Sequence, residues 1–391
     1  MKDGAEQPNK IWRAGDPAPD FTIRSSNSAR FHFNTAAGRY IVLCFFGSAR
    51  RETGFRAQQH LARHTAFFND GVATFFGVSI DPADEAEARV RERVPGFRYF
   101  WDFDRVVSAR YGALDGETAA PEKALEDALE SYRGFTLVLD PMQRVLAHVP
   151  HDAAHDEAVD ALLKRLPPPG LHSGMEVPAP ILVLPRVFEP DFCRHLIGLY
   201  ESDGGKESGF MRQIDGKTVG VYDDTYKRRS DFAFDFLPQL EPVRAAIRAR
   251  IHARLVPAIQ RAFQFNVTRM ERYIVACYEG ERHGFFTAHR DNTTSGTAHR
   301  RFACTINLNT EDYDGGDLRF PEFGPRTYRA PTGGAVVFSC SLLHEATPVT
   351  RGRRYACLPF LYDEAAARIR QANAAALTGE NINMNAARAE K

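Results

Sequence analysis

Arg272-Tyr-Ile-Val-Ala-Cys-Tyr278 and Phe285-Phe-Thr-Ala-His289, separated by Glu279-Gly-Glu-Arg-His-Gly284, decide the fold of the C-terminal half. Both segments are rich in β-branched and aromatic residues and read as strands, broken by the charged, glycine-bearing spacer. The signature repeats downstream. Arg301 to Leu308, Gly316 to Phe320, Arg326 to Ala330, Gly334 to Ser339 and Arg353 to Leu361 are strand candidates, punctuated by Gly315-Gly316, Pro325 and Pro331-Thr-Gly-Gly334. Many short strands at this spacing predict a sandwich, here a double-stranded β-helix (jelly roll) with flanking helices.

Within this region the chemistry-bearing residues are His289, Asp291, His344 and Arg354. Residues i and i+2 of an extended segment point the same way, so His289 and Asp291 share a face while Arg290 points elsewhere. Two imidazoles and one carboxylate hold Fe(II) on one side and leave the other side open for a keto acid and dioxygen. A basic residue ten positions after the second histidine completes the pattern of a mononuclear iron site with an anionic co-substrate. Single histidines carry no such weight, and His283 and His299 read as surface or loop residues. Cys277, Cys304, Cys340 and Cys357 sit on apolar strands and read as small buried hydrophobes.

Ala276-Cys-Tyr-Glu-Gly280 with His289-Arg-Asp291, Tyr313-Asp-Gly-Gly-Asp-Leu-Arg-Phe320, and His344-Glu-Ala-Thr-Pro-Val-Thr-Arg-Gly-Arg-Arg-Tyr-Ala356 resemble the 2-oxoglutarate- and Fe(II)-dependent dioxygenases, in the prolyl 4-hydroxylase branch. The similarity runs from about Ile181 to Tyr362. It implies that His289, Asp291 and His344 ligate iron, that Arg354 pairs with the distal carboxylate of 2-oxoglutarate, and that Tyr278 lies beside the co-substrate. Arg353 competes with Arg354; strand alternation admits only one of them to the barrel, and the Arg-Tyr-Ala register favours Arg354. Where those enzymes place a second hydroxyl on the co-substrate, this chain offers Asn307 or Thr305. The resemblance further implies dioxygen and 2-oxoglutarate as partners, ascorbate as an accessory cofactor, and hydroxylation of an unactivated C–H bond with release of succinate and carbon dioxide. Prolyl residues of a protein or peptide come first as substrates, ahead of free amino acids and other small molecules. The carboxylate at Asp291 argues against a halogenating relative. The rival class is a non-catalytic sensor or scaffold that binds metal or 2-oxoglutarate.

The chain has 391 residues, long for one core, so two domains are expected. Hydrophobic residues at 43% and charged residues at 26% fit a globular protein. Fifty basic residues balance fifty acidic ones, which leaves no broad field to recruit nucleic acid or an anionic membrane. Six cysteines without a C-x-x-C fit a reducing compartment. Met1 to Trp12 lacks the apolar stretch of a signal peptide, and no apolar run approaches the roughly 20 residues that span a bilayer. A cytoplasmic location is expected.

Leu166-Pro-Pro-Pro-Gly170 and Pro178-Ala-Pro180 read as a semi-rigid linker. The expected organisation is therefore a domain over 1–166, a linker over 167–180, a second domain over 181–365 and a C-terminal helix and tail over 366–391. Before the linker, strands (Tyr40 to Phe46, Val72 to Ile80, Phe97 to Trp101, Phe135 to Leu139, Arg144 to Val149) alternate with helices (Arg56 to Asn69, Ala83 to Val94, Ala153 to Arg165). That alternation is the mark of an α/β sheet, so the whole chain is α/β plus mainly β. Gly15-Asp-Pro-Ala-Pro-Asp-Phe-Thr22, Tyr40-Ile-Val-Leu-Cys-Phe-Phe46 and Tyr132-Arg-Gly-Phe-Thr-Leu-Val-Leu-Asp140 resemble the thioredoxin-like fold, and more narrowly the peroxiredoxins, over roughly residues 9 to 166. One departure is decisive. Peroxiredoxins place a reactive cysteine at the start of the helix after the Tyr40 strand, where the dipole and an arginine favour thiolate. Here Gly47-Ser-Ala-Arg-Arg-Glu-Thr-Gly-Phe55 holds none, Cys44 lies inside the strand, and Arg133 matches the family's arginine with no thiolate to support. A redox-inactive scaffold is the favoured reading, with small-molecule binding in the former peroxide pocket as the alternative.

Remaining motifs are weak. Gly216-Lys-Thr218 lacks the first glycine of a phosphate loop, Met211 standing in its place. Lys227-Arg-Arg229 reads as a solvated loop ahead of a substrate contact, inside Asp203 to Phe232, a Gly-, Asp-, Lys- and Arg-rich stretch that suits either a lid over the barrel mouth or a variable surface loop. From Gln371 the Ala- and Asn-rich tail reads as a short helix followed by frayed residues.

Overall fold

The computed structural model describes residues 11–120 and 122–383. They fall into two units, one running to Pro178 and taking in Pro321–Gly324, the other running from Ala179 to Phe320 and onward from Pro325. No helix among the described residues is long and apolar enough to cross a membrane.

The first unit is built on β1 (Thr22–Ser25), β2 (Ser28–His32), β3 (Tyr40–Gly47), α1 (Glu52–Leu61), β4 (Ala73–Ser79), α2 (Pro82–Ala86), β5 (Phe97–Trp101), α3 (Val106–Tyr111), α4 (Leu125–Ser131), β6 (Phe135–Leu139), β7 (Val145–Pro150) and α5 (His155–Leu163). The strands lie in the order β2-β1-β5-β4-β3-β6-β7, with β3, β4 and β5 parallel and β6 antiparallel to β3. Every residue of β3 and β4 is buried, as expected for strands covered on both faces. Alternate side chains of β3 enter two cores, Ile41, Leu43 and Phe45 in one, Val42, Cys44 and Phe46 in the other. Cys44 is fully buried, and burial pushes its thiol up to about 12.

Two helices differ from the periodicity reading. The helix expected over Arg56 to Asn69 is α1, which starts and ends earlier. That expected over Ala83 to Val94 is cut to the short α2. Asp81 caps α2 through Ala83 N–H, Pro82 occupies its first turn, and Ala88 leaves helical space at φ 50°. Pro95 then disfavours helix at Val94.

In the second unit a nine-stranded and a five-stranded sheet carry the jelly roll. The larger sheet centres on Phe302–Asn307, Arg353–Cys357 and Ile274–Glu279. The smaller contains Lys227–Arg228, Phe285–His289, His344–Ala346, Leu318–Arg319 and Thr327–Tyr328. Alternation divides the larger sheet's side chains. Val275, Cys277, Cys304, Ile306, Tyr355 and Cys357 join the main core, which also holds Cys193 and Leu196 of helix Pro190–Asp203 and Ile247 of helix Glu241–Arg250. Thr305 and Arg354, one position out of phase, line a cavity instead. Helix Pro190–Asp203 has proline in its first turn and closes on Gly204 at φ 86°. A π turn, Ile251–Leu255, stands just ahead of Pro257, whose missing N–H cannot continue the α ladder.

The stretch Asp203 to Phe232 is not a loop. It forms strands Lys206–Glu207, Phe210–Ile214, Lys217–Tyr222, Lys227–Arg228 and Ser230–Ala233. Asp215-Gly216, both at positive φ, makes the tight turn between Phe210–Ile214 and Lys217–Tyr222, the dipeptide that such hairpins favour. The tail also departs from expectation: helix Glu364–Ala372 precedes a strand, Leu377–Asn383, that pairs in parallel with Lys217–Tyr222. Its backbone groups are thus matched where the sequence, poor in strand formers, suggested fraying.

Candidate metal centre

His289 ends strand Phe285–His289 and His344 begins strand His344–Ala346; the two are direct partners in the antiparallel register. Asp291 lies just past the first strand, its N–H donating to Cys340 O at 3.0 Å. The three side chains converge, with His289 Nε2 at 3.6 Å from Asp291 Oδ1 and His344 Nε2 at 3.3 Å from Asp291 Oδ2. One ligand atom from each lies within 4.8 Å of the others, so the trio could hold a metal ion.

The imidazoles are pre-oriented. His289 Nδ1 lies 2.7 Å from Thr287 O and His344 Nδ1 lies 3.0 Å from Leu342 O. A carbonyl only accepts, so each Nδ1 carries the proton and each Nε2 presents its lone pair to the centre. Phe286 stacks on the His289 ring at 3.6 Å and Phe338 packs on His344 at 4.5 Å, fixing both rings.

Electrostatics keep the donors in ligating form. Burial, reinforced by His289, pushes His344 down to about 4. Burial alone would raise the Asp291 carboxyl, but His344, His289 and Arg300 outweigh it and hold the group well below the usual carboxylate range. The sign of the pH dependence follows. An unfolded histidine takes up its proton near pH ~6.5, whereas folded His344 stays neutral to about 4. The unfolded state therefore binds the extra proton first, and the stability that neutral His344 contributes above its unfolded pKa is lost as pH falls towards 4. Metal-free protein should show a falling urea midpoint across that window, and His344→Gln should flatten the slope; an identical slope in both proteins would contradict this.

Arg354 lines the same cavity and is only 2% exposed, yet its Nε and Nη1 have no hydrogen-bond partner. Its guanidinium lies over the Tyr278 ring at 5.0 Å. Arg353 is its exposed neighbour, paired loosely with Glu201 and Glu279 at 3.6 Å each. Tyr278 and Thr305 also line the cavity, while Asn307 does not: its Nδ2 donates to Ala330 O at 2.8 Å.

Two features escaped the sequence reading. Lys227-Arg-Arg229 is not a solvated loop. Lys227 and Arg229 are buried; Arg229 reaches the cavity, is chelated by Asp231 at 2.7 Å through two nitrogens, and donates to Tyr278 Oη at 3.3 Å. The Arg-x-Asp spacing on an extended segment was the available signal. His299 is likewise buried, bound through Nε2 to Glu271 at 2.9 Å, whereas His283 is exposed as expected.

Comparison with known proteins defines the class of each unit. Residues 273–362 match the 2OG-Fe(II) oxygenase superfamily, and residues 14–146 match the AhpC/TSA family. The chain thus carries a 2OG-Fe(II) oxygenase domain of jelly-roll fold after a thioredoxin-like AhpC/TSA domain. It is similar to a PKHD-type hydroxylase of Verminephrobacter eiseniae, 33% identical over 120 residues, covering 28% of this chain and 52% of the relative. A PKHD-type hydroxylase of Herminiimonas arsenicoxydans is 30% identical over 151 residues, 36% of this chain and 64% of that protein. The chain therefore spans about half to two thirds of the length of these relatives. Among solved structures, a prolyl hydroxylase of Trichoplax adhaerens in complex with a hypoxia inducible factor oxygen degradation domain peptide fragment aligns at 16% identity and TM-score 0.39, over 49% of this chain and 86% of its own. Peroxidoxin BcpB from Mycobacterium tuberculosis aligns at 20% identity and TM-score 0.32, over 39% and 96%.

The residues present fit the groups that such a domain takes. Two neutral imidazole nitrogens and an ionised carboxylate suit a divalent iron. A buried guanidinium with two unpartnered nitrogens suits the carboxylate of 2-oxoglutarate.

Proposed function

We propose that this protein is a 2-oxoglutarate- and Fe(II)-dependent dioxygenase that hydroxylates an unactivated C–H bond, with His289, Asp291 and His344 as iron ligands and Arg354 as the anchor for the distal carboxylate. The observation that carries the reading is the pairing, in one cavity, of a convergent His/Asp/His set with a buried arginine whose Nε and Nη1 lack partners. When bound, iron and 2-oxoglutarate supply the oxygen chemistry, the co-substrate leaving as succinate and carbon dioxide. The chain's own share is orientation and exclusion of water. Carbonyl-bound Nδ1 protons aim both imidazoles. Tyr278, braced by Arg229, supports the Arg354 guanidinium through its ring face. Thr305 offers a hydroxyl on the cavity wall; Asn307 serves instead to hold the backbone at Ala330.

Gly316 sets the position of Arg354. It adopts φ 69°, and a Cβ there would lie 2.7 Å from Val349 Cγ2 and 3.0 Å from Arg354 Cδ. Gly316→Ala should displace the arginine stem and weaken 2-oxoglutarate binding roughly tenfold, on the order of 1.4 kcal/mol. Calorimetry of the iron-loaded protein reads this directly, and unchanged affinity would remove Gly316 from the account.

The resemblance of the motifs around His289, Asp291 and His344 to the prolyl 4-hydroxylase branch puts a prolyl residue of a protein or peptide first as substrate, ahead of free amino acids and other small molecules. Succinate release should rise with the true substrate and require Fe(II), 2-oxoglutarate and dioxygen; ascorbate should sustain turnover. Release of no succinate with any prolyl peptide or free amino acid would favour a binding module instead. The domain organisation that accompanies this reading is 1–166, a linker over 167–180, the oxygenase over 181–365 and a C-terminal segment beyond. The first domain acts as a redox-inactive scaffold, because its Cys44 thiol is buried and held protonated. Peroxide turnover that depends on Cys44 would overturn that part.

A further inference from the structure

The first unit holds a second convergent set of metal-ligating side chains. His60 lies in the last turn of α1 and His64 just beyond it; Asp156 and Asp160 lie four residues apart on α5. Both imidazoles aim Nε2 at one carboxylate oxygen, His60 at 2.7 Å and His64 at 2.9 Å from Asp160 Oδ1. The other nitrogen of His60, Nδ1, faces Asp156 Oδ2 at 3.6 Å, and Asp156 Oδ1 is held at 2.8 Å from His155 Nδ1.

His60 therefore stands between two carboxylates, one at each ring nitrogen. A neutral imidazole has a single N–H, so either tautomer turns a lone pair on one nitrogen towards a carboxylate oxygen. A metal ion held between Nε2 and Asp160 would use every group present. Nδ1–H of His60 would point to Asp156, the carboxylate–histidine–metal arrangement that orients metal-bound imidazoles. His64 Nε2 and Asp160 complete a three-residue set whose ligand atoms lie within 4.8 Å of one another. All three side chains are part-exposed, between 16% and 30%, so an ion can reach the site and solvent can fill a fourth position.

We propose that His60, His64 and Asp160, with Asp156 supporting His60, form a binding site for a divalent transition ion, zinc foremost, that ties the end of α1 to α5. Two imidazoles and one carboxylate with an open fourth position match the tetrahedral preference of zinc. The site is independent of the proposed oxygenase centre and shares no residue with it.

The test uses the full chain stripped of metal and titrated with Co(II), whose tetrahedral complexes absorb strongly in the visible. A Co(II) equivalent with that absorption should be lost in His64→Ala and in the near-isosteric Asp160→Asn, and retained in Asp291→Ala. With the oxygenase centre removed, Zn(II) should raise the unfolding temperature of Asp291→Ala but not of Asp291→Ala combined with Asp160→Asn, which without metal should still unfold cooperatively. Binding that both variants retain undiminished, or a wild-type chain that takes up metal only where Asp291→Ala removes it, would overturn the proposal.

Discussion

Asp291→Ala should abolish Fe(II) binding and 2-oxoglutarate turnover while leaving a folded protein. Asp291 is the one carboxylate in the convergent set, within 3.6 Å of each imidazole Nε2. Its removal leaves two neutral nitrogens with no compensating charge for a divalent ion, and on the paired strands no other acidic side chain joins the set. Removing a hydrogen-bonding support of a metal ligand typically costs roughly 10–100-fold in affinity or activity. Loss of a ligand should exceed that. His344→Ala should behave alike, since its strand partner His289 cannot replace it. Metal content after dialysis and succinate release are the two readouts. A variant that keeps iron and turns over at the wild-type rate would remove Asp291 from the centre.

The second large effect is expected at Arg354, and it carries a double signature. A buried guanidinium with two unpartnered nitrogens is costly in the protein alone and valuable once an anion arrives. Arg354→Met keeps the length of the side chain and removes the charge. It should weaken 2-oxoglutarate binding by about 2–5 kcal/mol, about 30-fold to several-thousand-fold. The same variant should leave the unfolding temperature of ligand-free protein unchanged or raised, because an apolar chain of similar volume replaces an unmatched buried charge. Arg354→Lys should recover only part of the affinity, lacking the planar fork. Weakened binding together with a collapse in stability would point to a structural role instead.

The strands that frame the cavity were legible from short apolar runs bounded by glycine and proline: Phe302–Asn307, Ala335–Ser339 and Arg353–Cys357 lie within the expected segments. The convergence of His289, Asp291 and His344 followed from i, i+2 geometry and from the resemblance of the surrounding motifs. The inward face of Arg354 followed from strand alternation. What stayed hidden was long-range. Asp203 to Phe232 looked like a loop because its charge and glycine content masked short strands whose pairing partners lie elsewhere in the chain. Asp215-Gly216 was the local clue, a hairpin dipeptide in a segment weighed for other motifs. Leu377–Asn383 becomes a strand only beside Lys217–Tyr222. The burial of Arg229 and His299 depends on Asp231 and Glu271, partners that composition alone does not pair with them. In the first unit the sheet was plain from its apolar runs, whereas helix ends were set by capping and prolines.

The most direct test of the central claim is an anaerobic titration of metal-free protein with Fe(II) and then 2-oxoglutarate, followed in the visible for the metal-to-ligand charge-transfer band. A band that needs both additions, weakens in Arg354→Met and is absent in Asp291→Ala is the predicted result. No band in the wild-type protein with iron and 2-oxoglutarate in excess would contradict the account and leave the jelly roll as a binding module.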